Sequence, residues 1–174
     1  EQFGGMMMNR RLRRMVQEGG APFQSAQIGG GAFMGYCEIL SVDAEGEPDQ
    51  VMPMLKAVLV EVLRAREHGF REDEFEVAKR VIGAGLAQAA ARESTVDSAS
   101  WMMRMNGAVA EGKKPMSAAQ TKELAGKVIP TITLDEVNKV FAESAALDKG
   151  LVAATLPEKE GVEIRSYSSI YECV

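Results

Sequence analysis

Histidine is nearly absent from this chain: His68 is the only one in 174 residues. That scarcity bounds the chemistry first, because a zinc site built from side chains takes three or four ligands, mostly His and Cys. Cysteine is scarce too. Cys37 and Cys173 form neither a C-x-x-C motif nor a dense framework, so they do not decide a redox compartment. Aromatic residues make up 6% of the chain against 11 methionines, which points to an aliphatic, Met-filled interior. No apolar run approaches the ~20 residues that cross a bilayer, so no membrane segment is expected. Positive charge is not in excess either. A formal net charge of -5 removes nucleic acid as the default partner.

What is present suits one domain with a real core: 46% of the residues are hydrophobic. The opening "EQFGGMMMNRRLRR" has no initiator Met and no signal-peptide pattern. The close, "SSIYECV", still brings apolar residues. Both ends read as cuts in a longer protein. The compartment stays unassigned, with a periplasmic or secreted parent as one possibility.

Hydrophobic spacing predicts a helix over 3–17, with Phe3, Met7, Met15 and Val16 on one face and Arg10, Arg13, Arg14 and Gln17 in water. "GGAP" at 19–22 ends it. The segment "FQSAQIGGGAFMGYCEILSVDA" alternates and is rich in β-branched and aromatic residues, which predicts two strands joined around Gly29–Gly31. Met34, Tyr36, Leu40 and Val42 point one way, and Phe33, Cys37 and Ile39 the other, so cover on part of each side is expected. The clearest helix follows, with Val51, Leu55, Val58, Leu59 and Val62 on one stripe and Pro48 and Pro53 near its first turn. Phe75, Ala78, Ile82 and Leu86 mark the next helix. "STVDSASWMMRMNGAVAEG" and "SAAQTKELAGKV" read as two more. "TLDE" at 133–136 is a capping box opening a short helix that ends near Ala146. "KGLVAATLP" is a last buried strand, stopped by Pro157. Strands first, helices in the middle and a strand last predict an α+β fold: a mostly antiparallel sheet with helices on one face.

The stretch "REHGFREDEFEVAKR" holds His68 beside Glu72, Asp73 and Glu74, and structural roles account for every one of these residues. His68 sits in the last turn of one helix, at the negative end of its dipole. Gly69 suits the position just past a helix end. Phe70 can staple onto Phe75, and the three acids fall in the next first turn, where negative charge is favoured. No metal, cofactor or catalytic residue is assigned here. Gly29–Gly31 lacks G-x-G-x-x-G and Walker spacing, so a hairpin turn outweighs a phosphate cradle. "NRRLRR" reads as the wet side of an amphipathic helix ahead of an acidic-partner site. "WMMRM" reads as core ahead of a peptide groove, though Met adapts to varied ligands. No G-x-S-x-G is present.

Four stretches carry a family resemblance. They are "MMMNRRLRRMVQEGGAPFQSAQ", "VMPMLKAVLVEVLRAREHGFREDEFEVAKR", "IPTITLDEVNKVFAE" and "LVAATLP", which together cover most of 3–157. In order and spacing they resemble a non-catalytic domain of the insulinase/pitrilysin-type zinc metallopeptidases, relatives of the mitochondrial processing peptidase. Arg71 departs from the family's usual Thr or Ser cap. The resemblance implies paired homologous α/β domains that enclose a chamber for unfolded peptides. It implies zinc on a His-x-x-Glu-His motif in a different domain, since one histidine cannot supply that motif. The Pro-Phe segment is most similar to the second domain of the first half. Tyr36 does not match the motif by which late domains present Arg and Tyr to substrate.

The expectation is therefore a single domain over 1–157, with 158–174 opening a linker or the next element. It would wall a larger zinc-dependent endopeptidase. Its partners would be homologous domains, including the zinc-binding one, and peptide substrates. The alternative is an inactive scaffold or assembly subunit of the same fold. A small-molecule-binding domain is a third reading, resting on the Met-rich surface alone.

Overall fold

The computed structural model describes residues 2–33 and 37–145. The chain divides into two compact units, one from residues 1–71 with 134 onward, the other from 72–133.

In the first unit, α1 (Gln2–Gln17) buries Phe3, Met7, Met8 and Leu12, which recur at helical spacing. Arg10, Arg13 and Arg14 are exposed as expected, and Met15 and Val16 are half-buried. Gly4 lies so close to α6 (Leu134–Ser144) that a Cβ there would come within 2.8 Å of the Phe141 ring. Strands β1 (Ser25–Phe33) and β2 (Cys37–Glu45) pair antiparallel, Ile28 opposite Val42 and Gln27 opposite Asp43. Ala26 and Ile28 are buried on one face, while Gln27, Ser41 and Asp43 are exposed on the other. A sheet with one apolar and one wet face takes helices on one side, the α+β arrangement expected from the order of elements.

Two strand expectations are corrected. Gly29–Gly31 do not turn the chain; they lie inside β1, opposite Ser41, Leu40 and Ile39. None of the three has a positive φ. Continuing the ladder past them keeps Ile28 in register with Val42, and its hydrogen bonds outweigh the turn preference of glycine. Met34 and Tyr36 are outside the described residues. Cover on both sides of β2 is not seen either: Ile39 is 44% and Val42 37% exposed.

Helix α2 (Val51–His68) follows a short 3-10 turn at Pro48–Gln50. Its buried stripe is Val58, Glu61, Val62 and Ala65, with Val51, Leu55 and Leu59 half-buried. His68 is its last residue and is exposed. Gly69 caps it at φ 73°, donating its N–H to the Ala65 carbonyl. Phe70 then turns inward onto Phe141, ring centroids 4.9 Å apart and planes at 73°. Its N–H is received by Asn138 Oδ1 at 2.8 Å. Helix α6 starts directly after Thr133 with Asp135 and Glu136 in its first turn, and buries Val137 and Phe141. The strand expected at "LVAATLP" and the linker at 158–174 lie outside the described residues.

In the second unit, α3 (Glu72–Ala91) opens on three acids and buries Phe75 and Ala78. Asp97 caps α4 (Ser98–Ala110), accepting from the Ser100 N–H at 2.9 Å and its hydroxyl at 2.7 Å. Those two bonds, the backbone one foremost, hold the Asp97 carboxyl below its ordinary range. The start of α5 (Ala118–Val128) is fully satisfied. Ser117 and Gln120 form a capping box, and the Glu93 carboxylate receives the N–H groups of Ala118 and Ala119 at 2.8 and 3.2 Å. The first N–H groups of a helix have no intrahelical partner, so these contacts define where α5 begins.

The reading of "WMMRM" as core is overturned. Helix α4 has no buried residue, and Met102, Met103 and Met105 are 62%, 75% and 48% exposed. Their helical run carries apolar chemistry on a side that nothing in the described chain covers.

Candidate functional site

Among the described residues, the edge of β1 that faces away from β2 is met by a side chain of α1. Asn9 of α1 donates its amide to the Ile28 carbonyl at 2.8 Å and accepts the Ile28 N–H at 2.7 Å. A side-chain carboxamide thus makes both hydrogen bonds that a neighbouring strand would make there. In an antiparallel pair, residues alternate between bonding their partner and facing away. Because Ile28 faces away from β2, Gly30 does so as well, and its N–H and C=O continue the same edge.

That edge opens on a cleft of about 940 Å³ in the first unit. Met6 and Asn9 of α1, Gly29 and Gly30 of β1, and Val140 and Glu143 of α6 contribute to its walls. Arg13 lines it too, as an exposed cation. A Cβ at Gly30 would come within 3.3 Å of the Ile39 carbonyl oxygen and of Leu40, so glycine fits closely there. Among the described residues the cleft combines apolar side chains, the β1 edge and charges of both signs.

Below this cleft a buried polar cluster joins α1, α2 and the turn after it. Arg11 lies 3.6 Å from Glu61, donates to the Gly69 carbonyl at 3.2 Å and packs 4.9 Å from the centre of the Phe70 ring. Glu61 also receives Arg64 at 2.7 Å. Sequence reading passed over this cluster and took Arg11 only as part of the basic patch "NRRLRR". The signal was available: Arg11 follows Met7 by four residues and Met8 by three, so it belongs to the apolar stripe.

His68, set aside in the sequence as a helix-terminal residue, stands at the exposed end of α2. Among the described residues no three His, Cys, Asp or Glu side chains gather closely enough to hold a metal ion. Cys173 lies outside them. No described helix is long and apolar enough to cross a membrane.

The fold is similar to that of solved proteases, one of them an insulinase-family protein. Over 80% of the chain it matches the periplasmic protease PqqL of Escherichia coli, with a TM-score of 0.69 and 16% identity, spanning 16% of that protein. Against the separately solved first half of PqqL the TM-score is 0.70 at 15% identity, covering 81% of this chain and 30% of the other. A predicted insulinase-family protease of Yersinia pestis gives 0.67 at 13% identity over 82% of this chain and 31% of its own. No family model matches the sequence, and no curated protein matches it. The likeness is one of fold, and this chain spans less than a third of each of these proteins.

Proposed function

We propose that residues 1–157 form a non-catalytic, substrate-enclosing domain of a larger zinc-dependent endopeptidase, with 158–174 beginning the link to the next element. The observation that carries this reading is the β1 edge: an insulinase-type fold presents, beside a cleft, a strand edge already hydrogen-bonded in strand fashion by Asn9. The domain holds an extended peptide there while bond cleavage takes place elsewhere. Zinc belongs to a different domain, because His-x-x-Glu-His needs two histidines and this chain has one. The partners are homologous domains of the same protein, the zinc-binding one included, and unfolded peptide segments. An extracytoplasmic compartment, like that of the periplasmic neighbour from Escherichia coli, suits such work. A second reading, an inactive assembly subunit of the same fold, draws on the uncovered apolar side of α4.

The test has two arms. This chain alone, dialysed against zinc and incubated with a quenched peptide library, is expected to retain no stoichiometric metal and to cleave nothing. Adding the zinc-binding domain is expected to restore cleavage that a chelator abolishes. Titrating the chain with an unlabelled extended peptide is expected to shift the Gly30 amide resonance while that of Val62, buried in α2, stays put. Tight zinc in this chain with cleavage lost in His68→Ala would overturn the non-catalytic assignment. Cleavage by the assembled protein without any shift at Gly30 would overturn the role of the β1 edge. A complete polypeptide with no zinc and no cleavage would favour the assembly subunit.

A further inference from the structure

We infer that Asn9 is a register stop: it confines an extended peptide to the Gly30 side of the β1 edge and bars it from pairing past Ile28, an inference that rests on the reading above. Two clefts open along β1, and the division between them falls at this residue. The larger, of about 940 Å³, takes in Ile28, Gly29 and Gly30. The second, of about 450 Å³, takes in Ser25, Ala26 and Gln27. Asn9 and Arg13 are the residues that line both. Arg13 stands one helical turn further on and donates its Nε–H to the Asn9 carbonyl at 3.2 Å, so the two form one wall.

The carboxamide both donates to and accepts from Ile28, at 2.8 and 2.7 Å, the pair of bonds that one residue of an added strand would make. Such a strand meets outward-facing residues in steps of two, here Ala26, Ile28 and Gly30. With the middle one taken, pairing that starts at Gly30 does not run on to Ala26. A peptide that displaced Asn9 would replace two hydrogen bonds by two and gain none at that step, so the favoured complex leaves Asn9 in place. The Asn9 backbone is fixed as well: Met8 and Leu12, both fully buried, hold α1 around it. The two sides of the stop differ. Gly30 brings no side chain, and Met6 and Val140 line its cleft, whereas the carboxylates of Asp43 and Glu45 line the smaller one. Blocking a sheet edge at one point is a common device against pairing with further chain, and here it sets where pairing ends.

Two peptides of alternating Val and Thr, acetylated and amidated, test this: a tetrapeptide and an octapeptide titrated into the full chain and followed by amide NMR. In the unaltered chain both are expected to shift the Gly30 amide and to leave the Ala26 amide and the Asn9 side-chain amide in place. Their affinities should be equal, because pairing stops at the same residue. In Asn9→Ala the octapeptide is expected to bind at least about fivefold more tightly than the tetrapeptide, roughly the factor that one further strand hydrogen bond supplies, and to move the Ala26 amide. A purely structural Asn9 would lower stability and leave this length dependence unchanged, so equal affinities in a folded Asn9→Ala would overturn the inference. Where Asn9→Ala does not fold, the unaltered chain decides: an Ala26 shift, a displaced Asn9 side chain or a preference for the octapeptide would overturn it. A Gly30 shift accompanied by an Ala26 shift defeats the register stop alone. No Gly30 shift with either peptide defeats the peptide-holding reading, and this inference with it.

Discussion

Arg11 and Glu61, fifty positions apart, meet with their charged atoms 3.6 Å apart and their side chains 10% and 9% exposed. Each interrupts an otherwise apolar helix stripe, and each is the other's reason for being there. Breaking a buried ion pair from one side leaves a charge without its counterpart, which costs about 3–5 kcal/mol. Arg11→Ala leaves Glu61 its closer contact with Arg64 at 2.7 Å, so a loss at or below the low end of that range, about 3 kcal/mol, is expected by urea melting, with the Gly69 carbonyl also losing a donor. Glu61→Gln, which keeps a hydrogen-bonding head, should lose less. Equal losses would mean that charge is not what matters at this contact.

Gly69 is expected to resist any substitution with a Cβ. Its φ of 73° is a region L side chains rarely adopt, and an added Cβ would come within 2.7 Å of Asn138 Nδ2. Asn138 is not free to move aside, because its Oδ1 accepts the Phe70 N–H. Gly69→Val should destabilise the protein by more than ~1 kcal/mol through strain of this kind. His68→Ala, at an exposed position, should stay within about 0.5 kcal/mol. Paired denaturant melts decide; equal losses would show His68 holding a partner.

Removing the Asn9 carboxamide should expose what it substitutes for. Asn9→Ala leaves the Ile28 N–H and C=O without their side-chain partner, a loss of about 1–3 kcal/mol for buried groups and less where water enters. Hydrogen exchange at the Ile28 amide should quicken selectively, while amides bonded across to β2 stay protected. No change in exchange at Ile28 would place its protection in something other than Asn9.

The α4 cap has a defined pH signature. The Asp97 carboxyl is held below its ordinary pKa of 3.8 by the Ser100 N–H and hydroxyl. A depressed folded pKa adds stability that is complete above 3.8 and is lost as pH falls through the folded value. Helix content around α4 should therefore decline only in that acid range, and Asp97→Asn should remove that part of the pH dependence. A carboxyl titrating at or above its ordinary pKa, by carbon-detected NMR, would contradict the capping geometry.

Much of this arrangement is decided locally, which is why residue order alone reaches it. Phe3 and Met7, Val58 and Val62, and Phe75 and Ala78 recur at helical spacing, and each pair is buried. The helix end at His68–Gly69 follows from a position that only glycine fills without strain. The α+β class follows from strands that precede helices. Other features depend on groups distant in the chain. Gly29–Gly31 are equally suited to a turn or a strand, and only the ladder opposite Ser41, Leu40 and Ile39 chooses. The stripe on α1 shows that Arg11 turns inward, but its counterpart is named only when α2 is packed alongside. Asn9 becomes an edge partner only once β1 lies beside it. Met102 and Met103 have core composition, and their exposure is a matter of what is packed against α4, which local spacing does not encode. Local sequence sets backbone preference and which side of a helix is apolar. The identity of the surface that covers that side is a long-range packing choice, settled by burial across the whole fold.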